Sequence, residues 1–316
     1  MDEKQMQKKL RRYMSKSGWA LLIYYLLMNV AVILSLLVDV IVKGMSGNLN
    51  LLEDFGDTLM GNAWGYILAS AIGLLILLLW KKKQFCFVEL WKHEKRMTAN
   101  DFLVILIIFL GSQGAFQIFA IVLELLLNFL GLSALAAIEL ASGMPDTFSM
   151  FLYVGLVAPI VEEILFRGLL LRMMRPYGKL FAIVTTAFLF GMFHGNPVQS
   201  PYAFLSGIVL GYVTIEYSIG WAMVLHMINN LILGDTMTRL SQLLPPGLGD
   251  AQTIGLIWGC FIGGLVLLIC KRKEIAAYCA ENRMHPWCKK AFFRAPGVII
   301  FTVLMALSML AAITML

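Results

Sequence analysis

Long apolar runs alternate with short polar or Gly/Pro-containing segments along almost the whole chain. A transmembrane helix needs about 20 mainly apolar residues, because the hydrocarbon core is about 30 Å thick and a helix rises about 1.5 Å per residue. The runs are continuous rather than alternating, which indicates helices and not the strands of a membrane barrel. We predict nine spans, with eight as the alternative: 19–43, 58–80, 102–130, 148–171, 180–194, 201–217, 221–234, 253–270 and 297–316.

The amino-acid composition is also that of a membrane protein. Of the 316 residues, 60% are hydrophobic and 14% are charged, whereas soluble domains have about 45–50% apolar and 25% charged residues. We therefore expect an all-α, polytopic helix bundle. Its predicted regions are 1–147 with three spans, a core at 148–234 with four spans, and 235–316 with two spans.

The net charge of +6 is distributed unevenly between the two sides of the predicted bundle. Every Lys and Arg except Lys43, Arg167 and Arg239 falls in segments that the nine-span topology places on one side. The positive-inside rule assigns that side to the cytoplasm. We expect a multi-pass plasma-membrane protein with a cytoplasmic N-terminus and, for nine spans, an external C-terminus. The positive charge is thus explained by membrane topology and by contact with the lipid bilayer. We expect no nucleic-acid partner. The oligomeric state stays open.

Polar residues are concentrated in the predicted fourth to seventh spans. A charged side chain at the bilayer centre costs about 3 kcal/mol on insertion scales, so such residues must face a protein interior and compensate one another. We therefore expect any chemistry in these spans. Their polar residues are Glu162, Glu163, Arg167, His194, Asn196, Glu216, His226, Asn229 and Asn230.

The fourth span carries two glutamates and an arginine within "APIVEEILFRGLL", residues 158–170. Glu163 and Arg167 are one helical turn apart, which predicts an ion pair. Glu162 lies about 100° round the helix from Glu163 and is free to point elsewhere. Pro159 removes a backbone hydrogen bond and should kink the span just before the carboxylates.

The fifth and seventh spans each carry a histidine paired with another residue one turn away. Phe190 and His194 share one helix face, and His226 and Asn230 share another. Together with an uncompensated Glu162, two histidines can polarise water. The alternative is a buried ionic clasp between helices that does no chemistry.

Other intramembrane hydrolase signatures are missing or misplaced. The chain has no H-E-x-x-H and no G-x-S-x-G, so zincin and serine-hydrolase interpretations lack their residues. "GLGD", residues 247–250, matches the G-x-G-D of aspartyl intramembrane proteases, but no second aspartate accompanies it in a span. We interpret it as a turn signal.

Three motifs on successive spans resemble a known family pattern. "EEILFR" at 162–167 matches E-E-x-x-x-R, "FGMFH" at 190–194 matches F-x-x-x-H, and "HMINN" at 226–230 matches H-x-x-x-N. In this order they are similar to those of the CPBP family, the CAAX proteases and bacteriocin-processing proteins, also called Abi, which includes type II CAAX prenyl endopeptidases. The resemblance covers about 150–234.

The resemblance implies an intramembrane endopeptidase with a glutamate-centred site, and we expect no cofactor, with zinc as the alternative. Glu162 would be the general base and would activate water with His194, while His226 and Asn230 would stabilise the oxyanion. Three residues would support the site: Glu163, Arg167 and Phe190. The substrate would be a membrane-associated peptide or protein, with CAAX-type processing, bacteriocin maturation or self-immunity as the role.

Three alternatives remain open from the sequence. Glu162, His194 and His226 could form a His2Glu zinc site, although ligands on three helices lack the compact zincin spacing. The protein could be a non-enzymatic immunity or scaffold protein that keeps the polar cluster for packing. It could also be a carrier with Glu162 and His194 as a proton relay, but the chain shows no internal repeat.

Overall fold

The computed structural model describes residues 3–45, 63–80, 89–142, 147–231, 243–245 and 247–316. These residues are helical almost throughout. The helices are α1 (Glu3–Met45), α2 (Trp64–Trp80), α3 (Ala99–Phe129), α4 (Leu135–Ser142), α5 (148–174), α6 (Lys179–Phe193), α7 (Gln199–Glu216), α8 (Ile219–Ile228), α9 (Leu248–Cys270), α10 (Arg272–Glu281), α11 (Pro286–Phe293) and α12 (Pro296–Ala311). Short 3-10 turns occur at Glu89–Trp91 and Arg175–Tyr177.

Three helices of the described chain, α1, α3 and α9, are each long and apolar enough to cross a membrane. The α11 and α12 helices together would form a fourth span, although they are bent by 65° where they meet. These helices indicate an integral membrane protein of all-α class. The total of nine spans and the orientation of the termini stay predictions. Part of the second predicted span (58–62), the end of the seventh (232–234) and Arg239 lie outside the described residues.

The last predicted span, 297–316, is too long. Helix α12 ends at Ala311, and Thr314–Met315 forms strand β2, which pairs antiparallel with β1 (Leu132–Ser133). Leu132 lies opposite Met315 in this ladder, and Ser133 lies opposite Thr314. The chain end therefore leaves the helix and ties α12 to the connection between α3 and α4.

The turn predicted at GLGD is confirmed only for Gly247, because Leu248–Asp250 already belong to helix α9. Gly247 has φ of +84°, a left-handed conformation that glycine adopts without steric cost, and it precedes the first turn of α9. Asp250 lies in that first turn.

A central cluster of buried side chains joins the two ends of the chain to α5 and α6. In a bilayer the lipid tails are as apolar as these side chains, so close packing rather than removal from water holds the helices together. Helix α6 also packs along α7, and α9 packs along α3. The largest fully buried apolar members of the cluster include Leu10, Phe166, Phe181, Phe292 and Phe301.

Helices α1 and α12 cross with their backbones in contact. A Cβ atom on Gly18 would lie 2.2 Å from the carbonyl carbon of Gly297, and one on Gly297 would lie 2.0 Å from the carbonyl oxygen of Ser15. The Gly297 N–H donates to Ser15 Oγ at 3.1 Å. Since no larger side chain fits at either glycine, this crossing is fixed by residue size.

Candidate active site

Helix α5 holds the two glutamates in a short α-helical stretch between π-helical turns. The stretch is Ala158–Glu163, and the π-helical turns are Tyr153–Val157 and Ile164–Leu171. Pro159 lies at the start of the stretch and has no N–H to donate to the preceding turn, which accounts for the irregular backbone before it. Wider π-helical turns re-aim side chains and occur frequently at functional sites.

Glu163 and Arg167 form the one-turn ion pair that the sequence predicts. Glu163 Oε1 lies 3.0 Å from Arg167 Nη1, and both side chains are fully buried. The guanidinium lies over the Phe190 ring, 4.2 Å from its centroid, and its Nη2 lies 3.5 Å from the carbonyl oxygen of Gly207. Because Gly207 has no side chain, the α7 backbone can approach the guanidinium this closely.

His226 lies between the two glutamates. Its Nδ1 is 3.0 Å from Glu163 Oε1, and its Nε2 is 3.9 Å from Glu162 Oε2. A carboxylate paired with Arg167 can only accept, so Nδ1 carries the hydrogen and donates to Glu163. The Nε2 atom of His226 therefore faces Glu162.

His194 is the C-cap residue of α6. Like His226, it is held in place through its Nδ1 atom. Its Nδ1 lies 2.8 Å from the carbonyl oxygen of Phe190, one turn back. A carbonyl only accepts hydrogen bonds, so Nδ1 is the donor and Nε2 keeps its lone pair when the imidazole is neutral. His194 can thus accept a proton or a hydrogen bond at Nε2.

The Phe190 ring contacts three of these polar side chains. The His194 and His226 rings are nearly perpendicular to it, at centroid distances of 4.8 and 5.9 Å and interplanar angles of 89° and 86°. Its contact with the Arg167 guanidinium completes the set. Phe190 therefore fixes the positions of three polar side chains without a polar atom of its own.

Glu162 and His194 open into one cavity of about 310 Å³. The Glu162 side chain is 19% exposed, whereas that of Glu163 is fully buried. The opposite wall comes from α1 and α2, which the motifs do not reach. The other lining residues are Tyr24, Tyr25, Met28, Asn29, Tyr66, Ser70, Tyr153, Ala158, Val161 and Phe193.

Asn230 points to the backbone of α5. Its Nδ2 donates to the carbonyl oxygen of Val154, in the first π-helical turn, at 2.8 Å. Asn229 Nδ2 donates to Asn230 Oδ1 at 3.1 Å, and Asn229 Oδ1 accepts from Tyr202 Oη at 2.6 Å and from Gln113 Nε2 at 3.0 Å. This chain of hydrogen bonds links α3 and α7 to α5.

One comparison with known proteins bears on this site. Residues 144–232 match the family model described as Type II CAAX prenyl endopeptidase Rce1-like. The matched segment contains all three motifs, so the resemblance inferred from them is confirmed there. No curated protein and no solved structure matches the chain.

The Rce1-like family is a peptidase family, and the match supports membrane endopeptidase activity in general terms. It covers α5 to α8 and leaves α1, α2 and α3 outside. Tyr24, Tyr66 and Gln113 are therefore residues of the cavity and its surroundings that neither the motifs nor the Rce1-like match contains. The only sequence signal at Tyr24 and Tyr66 is a phenol within an apolar run.

The three candidate zinc ligands do not form a metal-binding cluster in this conformation. Among the described residues, no group of three or more His, Cys, Asp or Glu side chains is arranged to hold a metal ion.

Asn196 lies apart from these groups and has a structural role. Its Oδ1 accepts from the backbone N–H groups of Val198 and Gln199 at the start of α7. Its Nδ2 donates to the carbonyl oxygen of Ala137 in α4. Asn196 thus joins two helices away from the cavity.

Glu216 also lies outside the site, at the C-terminal end of α7. Its Oε1 accepts from Lys179 Nζ at 2.8 Å and from Tyr278 Oη at 2.9 Å, and Lys95 Nζ lies 3.8 Å from Oε2. Burial, together with the bond to Glu216, raises the pKa of the Tyr278 phenol, so the phenol remains a donor. Glu216 joins α6, α7 and α10 to the segment before α3.

Proposed function

We propose that the protein is an intramembrane endopeptidase that hydrolyses a membrane-associated peptide or protein with water activated by Glu162 and His194. The observation that carries the proposal is the unequal environment of the two glutamates. Glu163 binds Arg167 and His226, while Glu162 opens with His194 into the 310 Å³ cavity. A carboxylate that is not held by a buried guanidinium, as that of Glu163 is, can accept a proton from water.

In the proposed reaction, Glu162 takes a proton from a water molecule while the oxygen of that water attacks the peptide carbonyl carbon. The neutral His194 accepts a hydrogen bond from the same water at Nε2 and so orients it. The proton then passes to the amide nitrogen as the C–N bond breaks, which yields a carboxylic acid and an amine. General base catalysis of this kind contributes about 10² to 10⁴ in rate.

Two side chains of α8 and its continuation are proposed to stabilise the oxyanion. His226, when protonated at Nε2, can donate toward the region of Glu162. Asn230 Nδ2 has two hydrogens, and Val154 occupies one, so the other remains for the substrate. Each donor of this type contributes about 2.7–4 kcal/mol in comparable hydrolases.

The test is a comparison of protein termini in cells that express the protein or its Glu162→Gln variant. We expect at least one new terminus that depends on Glu162. Glu139→Gln, in α4, is the matched control because Glu139 is exposed and lies outside the matched segment. If the same termini appear with Glu162→Gln as with the unaltered protein, Glu162 is not the base.

The substrate distinguishes the finer roles. A terminus within a prenylated C-terminal sequence supports CAAX-type processing, and a terminus within a secreted peptide supports bacteriocin maturation. A self-immunity role predicts that Glu162→Gln removes resistance to the peptide.

Zinc dependence is tested on the same activity. Cleavage that persists with a strong chelator supports the metal-free reaction. Loss of cleavage on chelation and its recovery with added zinc supports a metalloprotease with Glu162, His194 and His226 as ligands.

A non-enzymatic immunity or scaffold role is the second candidate. The fully buried Glu163–Arg167 pair, closed by His226, favours it because such a cluster also serves as packing between helices. In that case Glu162→Gln leaves the cellular phenotype intact, while Glu163→Gln removes it by disturbing the fold.

A further inference from the structure

A pocket of about 210 Å³ lies between the N-terminal part of α1 and helix α11, apart from the candidate active site. Five of its lining side chains are cations, and no described carboxylate lines it. We call it the basic pocket, with Lys4, Lys8 and Arg11 on one wall and Lys290 and Arg294 on the other. The remaining lining residues, Gln7 and Ala291, are uncharged.

The five cations are not neutralised within the described part of the chain. None of them forms an ion pair with another described residue. Glu3, the acid next to Lys4, accepts a hydrogen bond from Gln7 at 3.1 Å instead. Five like charges around one concave space repel one another and attract an anion.

The frame of the pocket is rigid. Leu10 and Met14 of α1 are fully buried in the same apolar cluster as Ala291 and Phe292 of α11. The close crossing at Gly18 and Gly297 fixes α1 against α12, just beyond the pocket. The two cationic walls are therefore held facing each other without a ligand.

The pocket lies at the level where the chain passes from polar to apolar sequence. Arg11 is seven residues before Gly18, about 10 Å along a helix, and the apolar run of α1 starts at Trp19. Helices α11 and α12 count together as a possible span, but the 65° bend between them turns α11 away from the axis of α12. If α12 crosses the membrane, α11 is therefore inclined toward the membrane surface. Trp19, at the start of the apolar run, and Phe293, next to Arg294 in the sequence, are 43% and 63% exposed, as aromatic side chains at a membrane interface are.

We propose that the basic pocket binds the phosphate headgroup of an anionic phospholipid. Lysine and arginine clusters beside a membrane-spanning helix attract anionic lipids. The phosphate would accept hydrogen bonds from both walls, and the acyl chains would extend along the exposed Trp19 and Phe293. A soluble phosphate ion has the same charge chemistry as the headgroup, but it has no acyl chains to contact Trp19 and Phe293.

The test measures phospholipid retained by the detergent-purified full chain, by native mass spectrometry with phosphatidylglycerol or phosphatidylcholine added. The pocket variant is Arg11→Gln with Lys290→Gln. The matched control is Arg12→Gln with Lys289→Gln, because these neighbours are exposed, lie outside the pocket and change the net charge equally. Size-exclusion profiles check that both variants remain folded.

We expect the unaltered protein to retain phosphatidylglycerol in preference to phosphatidylcholine. The pocket variant, which loses two cations, should bind phosphatidylglycerol about 25-fold more weakly, because each lysine or arginine near an anionic surface contributes about fivefold in affinity. The control variant should bind as the unaltered protein does.

Three results would overturn the proposal. Equal weakening in the two variants would mean diffuse surface charge, and equal retention of the two lipids would mean no headgroup selection. Displacement of phosphatidylglycerol by millimolar inorganic phosphate would mean a site for a soluble anion.

Discussion

The Nδ1 atom of His226 lies 3.0 Å from Oε1 of Glu163, the same oxygen that lies 3.0 Å from Nη1 of Arg167. One buried carboxylate oxygen therefore joins helices α5 and α8. Glu162, the adjacent residue, has His226 Nε2 at 3.9 Å and borders the cavity. Neighbouring glutamates thus have separate roles: one fixes the helices, and the other remains available for chemistry.

We predict that Arg167→Met destabilises the protein strongly. Removal of one partner of a buried ion pair leaves an uncompensated charge and costs about 3–5 kcal/mol. The measurement is thermal unfolding in detergent. Glu162→Gln is the matched control on the same helix and should leave the unfolding midpoint unchanged, so equal losses in the two variants would contradict the division of roles.

We predict that His226→Gln keeps the fold and lowers the proposed peptidase activity by about 10² or more. The glutamine amide can still donate to Glu163, but it removes the Nε2 donor that is proposed to stabilise the oxyanion near Glu162. His226→Leu should in addition lower the unfolding midpoint, because Glu163 loses its donor. Unfolding curves and cleavage rates of the two variants check this, and full activity in His226→Gln would refute the role.

We predict that Tyr202→Phe weakens the hydrogen-bonded chain from Gln113 to Asn230. The hydroxyl donates to Asn229 at 2.6 Å and accepts from Gln113 at 2.8 Å. Its removal should cost about 1 kcal/mol, the usual range for hydrogen bonds between membrane helices.

The same chain offers a stronger variant. Asn229→Leu should cost more than Tyr202→Phe, because it removes the partner of Gln113, Tyr202 and Asn230 together. Unfolding midpoints give the comparison, and the reverse order would show that the chain is not held through Asn229.

We predict that Gly297→Ala destabilises the protein by about 1–3 kcal/mol, the usual cost of overpacking. The added methyl group would lie 2.0 Å from the Ser15 carbonyl oxygen and force α1 and α12 apart. Gly259→Ala in α9 is the control, since nothing lies within 4 Å of a Cβ there. That variant should be neutral or slightly stabilised because alanine favours helix. Similar unfolding midpoints for the two variants would contradict a tight crossing.

The sequence by itself determined the features that depend on local periodicity. Continuous apolar runs specify membrane helices because the bilayer requires every backbone group to be bonded within the segment. The Glu163–Arg167 pair follows from a spacing of four on a helix with 3.6 residues per turn. The three motifs were enough to identify the segment that the Rce1-like model matches.

Only the tertiary structure decided which side chains meet between helices. His226 is 63 residues from Glu163, and no periodicity encodes that its Nδ1 binds Glu163 while its Nε2 faces Glu162. The sequence also gave no sign that Asn230 donates to Val154. These contacts depend on how whole helices cross and rotate against one another. Side-chain size and long-range packing together determine that crossing and rotation.

The cavity wall and the last residues of the chain also depend on contacts between segments that are distant in sequence. Tyr24 and Tyr66 reach the cavity because α1 packs against α2 and α2 packs against α5, although local sequence makes them ordinary members of apolar spans. Thr314–Met315 leaves the helical pattern because its backbone finds partners in Leu132–Ser133. Local spacing therefore specifies the helices and the ion pair within one of them, while contacts distant in sequence assemble the site.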